Sequence, residues 1–224
     1  MTISSKTNSI IFDMDGVITD TMPFHFRAWR KVFAKYGINV SKYDVYSREG
    51  QKGADSIQEI FAAKGVKISI SRAKEIIASK EALYKRIIRK RYIPGSRSLI
   101  RSLQRAGFKL ALVTGTMRDE VKHTLTRELL SAFSVIITGS DVKKGKPNPE
   151  PYLKALKKLK ISSTAAIVIE NAPFGILSAK SAGIRCFAIC TSLPSKYLNK
   201  ADRIFKNHSE IRNVILGNTV SKNG

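Results

Sequence analysis

The sequence predicts an α/β fold: a parallel sheet with helices on both faces, interrupted early by an inserted helical domain. Two observations predict it. From residue 95 onward, short apolar runs rich in β-branched residues alternate with amphipathic stretches of helical length. That is the pattern of strand–helix–strand units feeding a parallel sheet. Residues 22–93 break the rhythm and read as helix alone, so a first strand ending near residue 13 waits until residue 108 for its next parallel neighbour.

Taken in order, SIIF (9–12) is a buried strand that runs into Asp13 and Asp15, with Gly16 following as a turn residue. The insertion holds three helical stretches, PFHFRAWRKVFAKYG, DSIQEIFAAKG and SRAKEIIASKEALYKRIIRKR. The helix SRSLIRSLQRAG stops at Gly107, and FKLALV (108–113) is the second strand. Then follow the helix MRDEVKHTLTREL, the strand FSVII (133–137), the helix PEPYLKALKKLK and the strand AAIVI (165–169). The helix APFGILSAKSAG ends at Gly183, before the strand CFAI (186–189). The expected division is a core of residues 1–21 and 94–224 and a helical cap of residues 22–93, which would leave from the edge where ligands bind.

At 224 residues, with 43% hydrophobic content, the chain can bury a core and carry such an insertion. No apolar run reaches the roughly 18 residues of a membrane span, so no membrane association is expected. The start, MTISSKTNS, lacks the apolar stretch of a secretory signal, and a cytoplasmic protein is expected. Cys186 and Cys190, in RCFAIC, read as reduced residues on a strand. The charge is unusual: 40 Lys and Arg against 17 Asp and Glu give +23. Such a field attracts anions. The bases are spread along the chain with clusters at 85–91, 143–146 and 154–160, and aromatics do not interleave with them as a single-strand binding surface requires. Nucleic acid is therefore not the expected partner. A small phosphorylated metabolite is, bound by a monomer or weak dimer.

In open α/β sheets, ligands bind beyond the carboxyl ends of the strands. Four strand ends carry chemistry here: Asp13 and Asp15; Thr114 with Gly115 and Thr116; Lys146 in KGKPNPEPY; and Glu170 with Asn171. Two carboxylates one residue apart repel unless a cation stands between them or one keeps its proton. Carboxylates with a neutral oxygen donor suit Mg²⁺, which prefers few protein ligands plus water and a substrate phosphate. Thr114 and Lys146 offer a hydroxyl and a positive charge to phosphoryl oxygens. Asp13 can serve as a nucleophile, and Asp15 can give a proton to the leaving group and then activate water. Each motif alone has a plainer reading: Thr114 as a turn or cap residue, KPNPEPY as a turn into a helix, Glu-Asn as a helix cap. Their order at four successive strand ends is what favours chemistry.

FDMDGVITDT, VTGT, GKPNPEPY and IENAPFGILSAKSAG together resemble the four ordered motifs of the haloacid dehalogenase superfamily, over residues from about 10 to 190. The resemblance implies a Rossmann-like core with a helical cap between the first motif and the second strand. It implies Asp13 as nucleophile, Asp15 as general acid and base, and Thr114 and Lys146 as the phosphate-binding pair. Mg²⁺ would be held by Asp13, the backbone carbonyl of Asp15, and Glu170 with Asn171. The second aspartate favours a phosphate over a halogenated acid. Many relatives with this cap carry Glu-Asp where Glu170-Asn171 stands, so weaker metal binding is expected.

TDTMPFHFRAW is similar to the β-phosphoglucomutase-like subfamily, which implies that His25 lies at the cap hinge, near the substrate. On residue type alone His25 could equally be a helix residue without a ligand contact, and Trp29 reads as cap core. REGQKGADS resembles the subfamily's substrate loop, where an arginine holds a second phosphate. Gly53 stands at the matching position, with Lys52 before it, and Lys80 matches a cap lysine that faces the substrate. A lysine cannot grip a phosphate bidentately as arginine does. The expected function is therefore a Mg²⁺-dependent phosphatase of a small phosphate monoester, a sugar phosphate, acting through an aspartyl-phosphate. A phosphosugar mutase is the alternative, and a non-catalytic anion- or nucleic-acid-binding protein a third.

Overall fold

The computed structural model describes residues 6–217. Residues 1–5, part of the start read above for a leader, and residues 218–224 of the expected core lie outside them. The strands are β1 (Ser9–Phe12), β2 (Lys109–Val113), β3 (Val135–Ile137), β4 (Ala166–Glu170), β5 (Arg185–Ile189) and β6 (Arg203–Phe205). They form one sheet in the order β3-β2-β1-β4-β5-β6, parallel throughout. β1 is central, and its carboxyl end lies at the crossover where successive strands switch sides, the place such sheets keep for ligands.

Both faces are buried, so the strands read as near-continuous apolar runs. Ile10 and Phe12 pack on one side with Leu110, Leu112, Ile167 and Ile169. Ile11 points to the other, with Ala111, Val113 and Val168. Between β1 and β2 run α1 (Met22–Ala34), α2 (Lys42–Tyr46), α3 (Gly53–Ala62) and α4 (Ile70–Ile87). The rest of the chain supplies α5 (Ser96–Arg105), α6 (Arg118–Thr124), α7 (Arg127–Ser131), α8 (Glu150–Leu159), α9 (Pro173–Ser181) and α10 (His208–Leu216). Leu99, Val121, Leu129 and Ile211 bring α5, α6, α7 and α10 onto the Ile10 face. Tyr152 and Ile176 bring α8 and α9 onto the other, which also runs into the inserted helices through Val32, Phe33, Phe61 and Ile76.

Several elements differ from expectation. MRDEVKHTLTREL is two helices, because Leu125 is extended and the Thr126 hydroxyl caps a new start by accepting from the Leu129 amide. The last inserted helix stops at Ile87, before the basic run ends, because residues 91–93 pair with the other crossing of the insertion. Asp20 N donates to Arg91 O at 3.0 Å, and Ile93 N to Ile18 O at 3.0 Å. The five-residue α2 is held by a reciprocal cap between Ser41 and Asp44. β6, at the sheet edge, is too short for an alternation to be read. Among the described residues no helix is long and apolar enough to cross a membrane.

Candidate active site

Four strand ends converge. Asp13, one residue past β1, is fully buried, and its Oδ1 lies 2.6 Å from Lys146 Nζ. The same ammonium lies 2.6 Å from Glu170 Oε1, at the end of β4, and reaches the Val113 carbonyl at 3.4 Å. Tyr152 OH, from α8, donates to Glu170 Oε1 at 3.0 Å. The Asn171 and Ala172 amides donate to Glu170 Oε2 at 2.8 and 3.2 Å. Glu170, expected among the metal ligands, has hydrogen-bond partners on both oxygens and holds Lys146 here. Gly175 makes room for it, since a Cβ there would fall 1.8 Å from Glu170 Oε1.

Asp15 is a second, separate centre. Its Oδ1 accepts from Thr21 Oγ1 at 2.5 Å and its Oδ2 from Thr116 Oγ1 at 2.7 Å, with Thr114 Oγ1 at 3.4 Å. His25 Nε2 stands 3.7 Å from Asp15 Oδ1, beyond hydrogen-bond length, and its ring stacks on Tyr84 at 4.1 Å. Gly16 turns the chain between these groups with φ +88°, and a Cβ there would strike Asn171 Nδ2 at 2.1 Å.

The two aspartates are driven apart electrostatically. Burial pushes Asp13 up to about 8; Lys146 opposes this, while Glu170 and Asp15 add to it. One ammonium faces both the Asp13 and the Glu170 carboxyls. Burial also pushes Asp15 up, but His25, Thr21 and Thr116 together outweigh it and hold Asp15 down to about 2. Burial and the charge of Lys80 lower the pKa of His25. The protein's own groups therefore put the proton on Asp13 and the charge on Asp15, the reverse of what an ionised nucleophile at Asp13 requires.

A divalent cation fits this arrangement. Asp13 Oδ2 and Asn171 Oδ1 are buried without a hydrogen-bond partner, and such orphaned oxygens call for one. The Asn171 amide is oriented by donating from Nδ2 to Ser192 Oγ at 2.8 Å, which leaves its oxygen free. A hard cation on Asp13 would take the proton's place. Among the described residues no three His, Cys, Asp or Glu side chains gather as a metal cage, in keeping with one carboxylate and one amide oxygen left unpaired.

Above lies a cavity of about 430 Å³, lined from the core by Thr114, Gly115, Thr116 and Lys146 and from the insertion by His25, Trp29, Lys52 and Lys80. That volume suits a small metabolite. Lys146 joins this cavity to the buried Asp13 and Glu170, and Thr114 and Thr116 join it to Asp15, although Thr116 is already engaged there. Lys80 Nζ rests 4.6 Å over Tyr84 and 5.5 Å over Trp29, so Trp29 both packs the insertion and lines the cavity. Thr21, Glu49, Gly50, Tyr152 and Ser192 were not singled out from the sequence. Thr21, Glu49, Gly50 and Tyr152 lie inside the motifs FDMDGVITDT, REGQKGADS and GKPNPEPY, and only Ser192 lies outside all of them.

With this geometry in view, comparison places the chain among known proteins. A family described as haloacid dehalogenase-like hydrolase matches residues 10–189. The chain is 33% identical to a phosphorylated carbohydrates phosphatase of Thermotoga maritima, over 83% of this chain and 86% of that protein. It is 30% identical to a β-phosphoglucomutase of Bacillus subtilis, over 79% of this chain and 80% of that protein. Among solved structures, the β-phosphoglucomutase of Clostridium difficile superposes with a TM-score of 0.78 at 26% identity, covering 92% of this chain and 93% of that one. The chain belongs to the haloacid dehalogenase-like hydrolases, and within them to the phosphoric monoester hydrolases of the β-phosphoglucomutase-like group.

Proposed function

We propose that this enzyme is a Mg²⁺-dependent phosphatase that hydrolyses a small phosphate monoester, a sugar phosphate, through an aspartyl-phosphate on Asp13. One observation carries the reading: Asp13 is held by Lys146 at 2.6 Å through Oδ1 while Oδ2, buried, has no partner. Oδ2 is then the oxygen open to the cation, and Oδ1, beside Lys146, the one that attacks phosphorus. Mg²⁺ bound by Asp13, the Asp15 carbonyl and Asn171 would neutralise charge on the phosphoryl group and keep Asp13 ionised. Glu170 supports that site by fixing Lys146.

Lys146 and Thr114 face the phosphoryl oxygens. Asp15, which takes up a proton as the anionic ester binds beside it, hands that proton to the departing alkoxide and then takes one from the water that cleaves the aspartyl-phosphate. Its three hydroxyl contacts aim it; His25 stands ready on the Oδ1 side. Residues 22–93 act as a cap domain on a core of residues 1–21 and 94–224, and substrate reaches the buried Asp13 when the cap lifts.

A mutase needs the second phosphate of a bisphosphate to be gripped. Position 53 offers no side chain for this, and a Cβ there would meet Ile77 at 3.2 Å. Hydrolysis is therefore the better supported outcome. The test is phosphate release from a panel of sugar phosphates, phosphoglycolate, nucleotides and an aryl phosphate, with and without Mg²⁺. Release should require Mg²⁺ and vanish in Asp13→Asn, and quenched wild type should carry one phosphoryl group on Asp13. Conversion of glucose 1-phosphate to the 6-phosphate without release, or unimpaired hydrolysis by Asp13→Asn, would overturn the proposal.

A further inference from the structure

Asn171 differs from the carboxylates around it in having a right and a wrong way round. Its carboxamide ends in Oδ1, which can bind a cation, and in Nδ2, whose hydrogens repel one. A half-turn about the last side-chain bond exchanges the two. Asn171 is fully buried, and Oδ1 has no partner. Among the described residues its side chain makes one hydrogen bond, from Nδ2 to Ser192 Oγ at 2.8 Å. Ser192 is partly exposed, so its own O–H can reach solvent while Oγ accepts. Reversed, the amide would leave two N–H donors where Oδ1 now lies without a partner, and buried donors left unpaired are costly.

Ser192 comes from another strand end, three residues past β5, and its loop is pinned. The Cys190 amide donates to the Phe205 carbonyl at 2.9 Å, and the Thr191 hydroxyl donates to the Gly16 carbonyl. A Cβ on Gly16 would fall 2.5 Å from Ser192 Oγ and 2.1 Å from Asn171 Nδ2, so the turn after Asp15 packs against both. With Thr191 spent on Gly16, Ser192 is the hydroxyl left to hold the amide. We propose that Ser192 is a positioning residue: by engaging Asn171 Nδ2 it turns Oδ1 toward the divalent cation, and so lets a neutral amide serve as a ligand. This rests on the metal-dependent reading above. Groups that orient a metal's ligands from behind typically change its affinity by about 10–100-fold.

The test is titration calorimetry of Mg²⁺ into the full chain, previously stripped with chelator, for wild type, Ser192→Ala, Asn171→Asp and the double variant. Ser192→Ala is expected to weaken Mg²⁺ binding by about tenfold. In the Asn171→Asp background the same change should alter it by less than about twofold, because a carboxylate has two like oxygens and needs no orienting. Ser192→Gly removes the same hydroxyl and should repeat both results. A serine that only packs its loop would cost the same in both backgrounds. An equal loss in the two backgrounds, or an affinity unmoved by Ser192→Ala, therefore overturns the role of Ser192 and leaves the metal in place. No Mg²⁺ binding by wild type overturns the metal-dependent reading, and this role with it.

Discussion

The Lys146 ammonium and Asp13 Oδ1 stand 2.6 Å apart at a point where each side chain is 1% exposed. Lys146→Met would leave Asp13 and Glu170 facing each other without a counter-charge. Removing one partner of a buried ion pair costs about 3–5 kcal/mol. For a chain of this size that lowers the melting temperature by roughly 10 °C. Differential scanning calorimetry should show the drop, and phosphate release should be lost with it. A melting temperature within about 2 °C of wild type would mean the pair is not the anchor described.

Gly50 couples the insertion to that same lysine. It sits at φ +78°, and both an added Cβ on Gly50 and the Cβ of a Gly115→Ala change would invade the contact, the latter 2.6 Å from Gly50 Cα. Gly50→Ala is expected to lower kcat/KM for phosphate release by about tenfold or more, equivalent to about 1.4 kcal/mol. Gly37→Ala is the control: φ is +69° there, but nothing lies within 4 Å of an added Cβ. It should bear the same backbone strain and leave turnover unchanged. Equal losses in the two variants would reduce the effect to strain alone.

How much of this was legible before the fold was known depends on how local each cause is. Asp13, Thr114 and Glu170 each end an apolar run, so periodicity and the strand-end rule locate them without tertiary information. Lys146 lies in a loop, and its bond to Glu170 depends on how residues 138–149 cross the sheet, which no spacing encodes. Thr21 reaches Asp15 only because Gly16 turns the chain back. Glu49 enters the cavity because Gly50 packs on Lys146, a contact between segments nearly a hundred positions apart. α2 and β6 were hidden for another reason: three to five residues carry too few positions for a period to emerge.

Asn171 bears on the metal. Its Oδ1 is buried and unpaired, and it brings no charge. Asn171→Asp would add a carboxylate where a cation is expected, at the loss of one hydrogen bond to Ser192. Attraction between the added charge and a nearby cation should outweigh that neutral bond and raise Mg²⁺ affinity by about tenfold or more. Titration calorimetry measures this independently of turnover. Unchanged affinity would place the ion away from Asn171, and phosphate release by chelated wild type would dispense with the ion altogether.

The displaced proton on Asp13 makes a pH prediction with a definite sign. Its carboxyl is pushed from 3.8 up to about 8 by burial, against Lys146. The folded chain therefore binds more protons than the unfolded one between those values, and stability from this group is full at low pH and lost as pH rises toward 8. Other groups complicate the absolute curve. Glu49, also raised, slopes the same way; His25, lowered, slopes oppositely near neutrality; Asp15, held at about 2, acts only in acid. All three are retained in Asp13→Asn, so subtracting its curve from that of wild type, both chelated, leaves Asp13 together with its influence on Glu49, which slopes the same way. Melting temperatures measured from pH 5 to pH 8 should fall further for wild type than for the variant, and Mg²⁺ should restore wild type at pH 8 while doing less for the variant. Parallel curves would mean that Asp13 is already ionised beside Lys146 without a metal, and that the cation is not what frees it to attack.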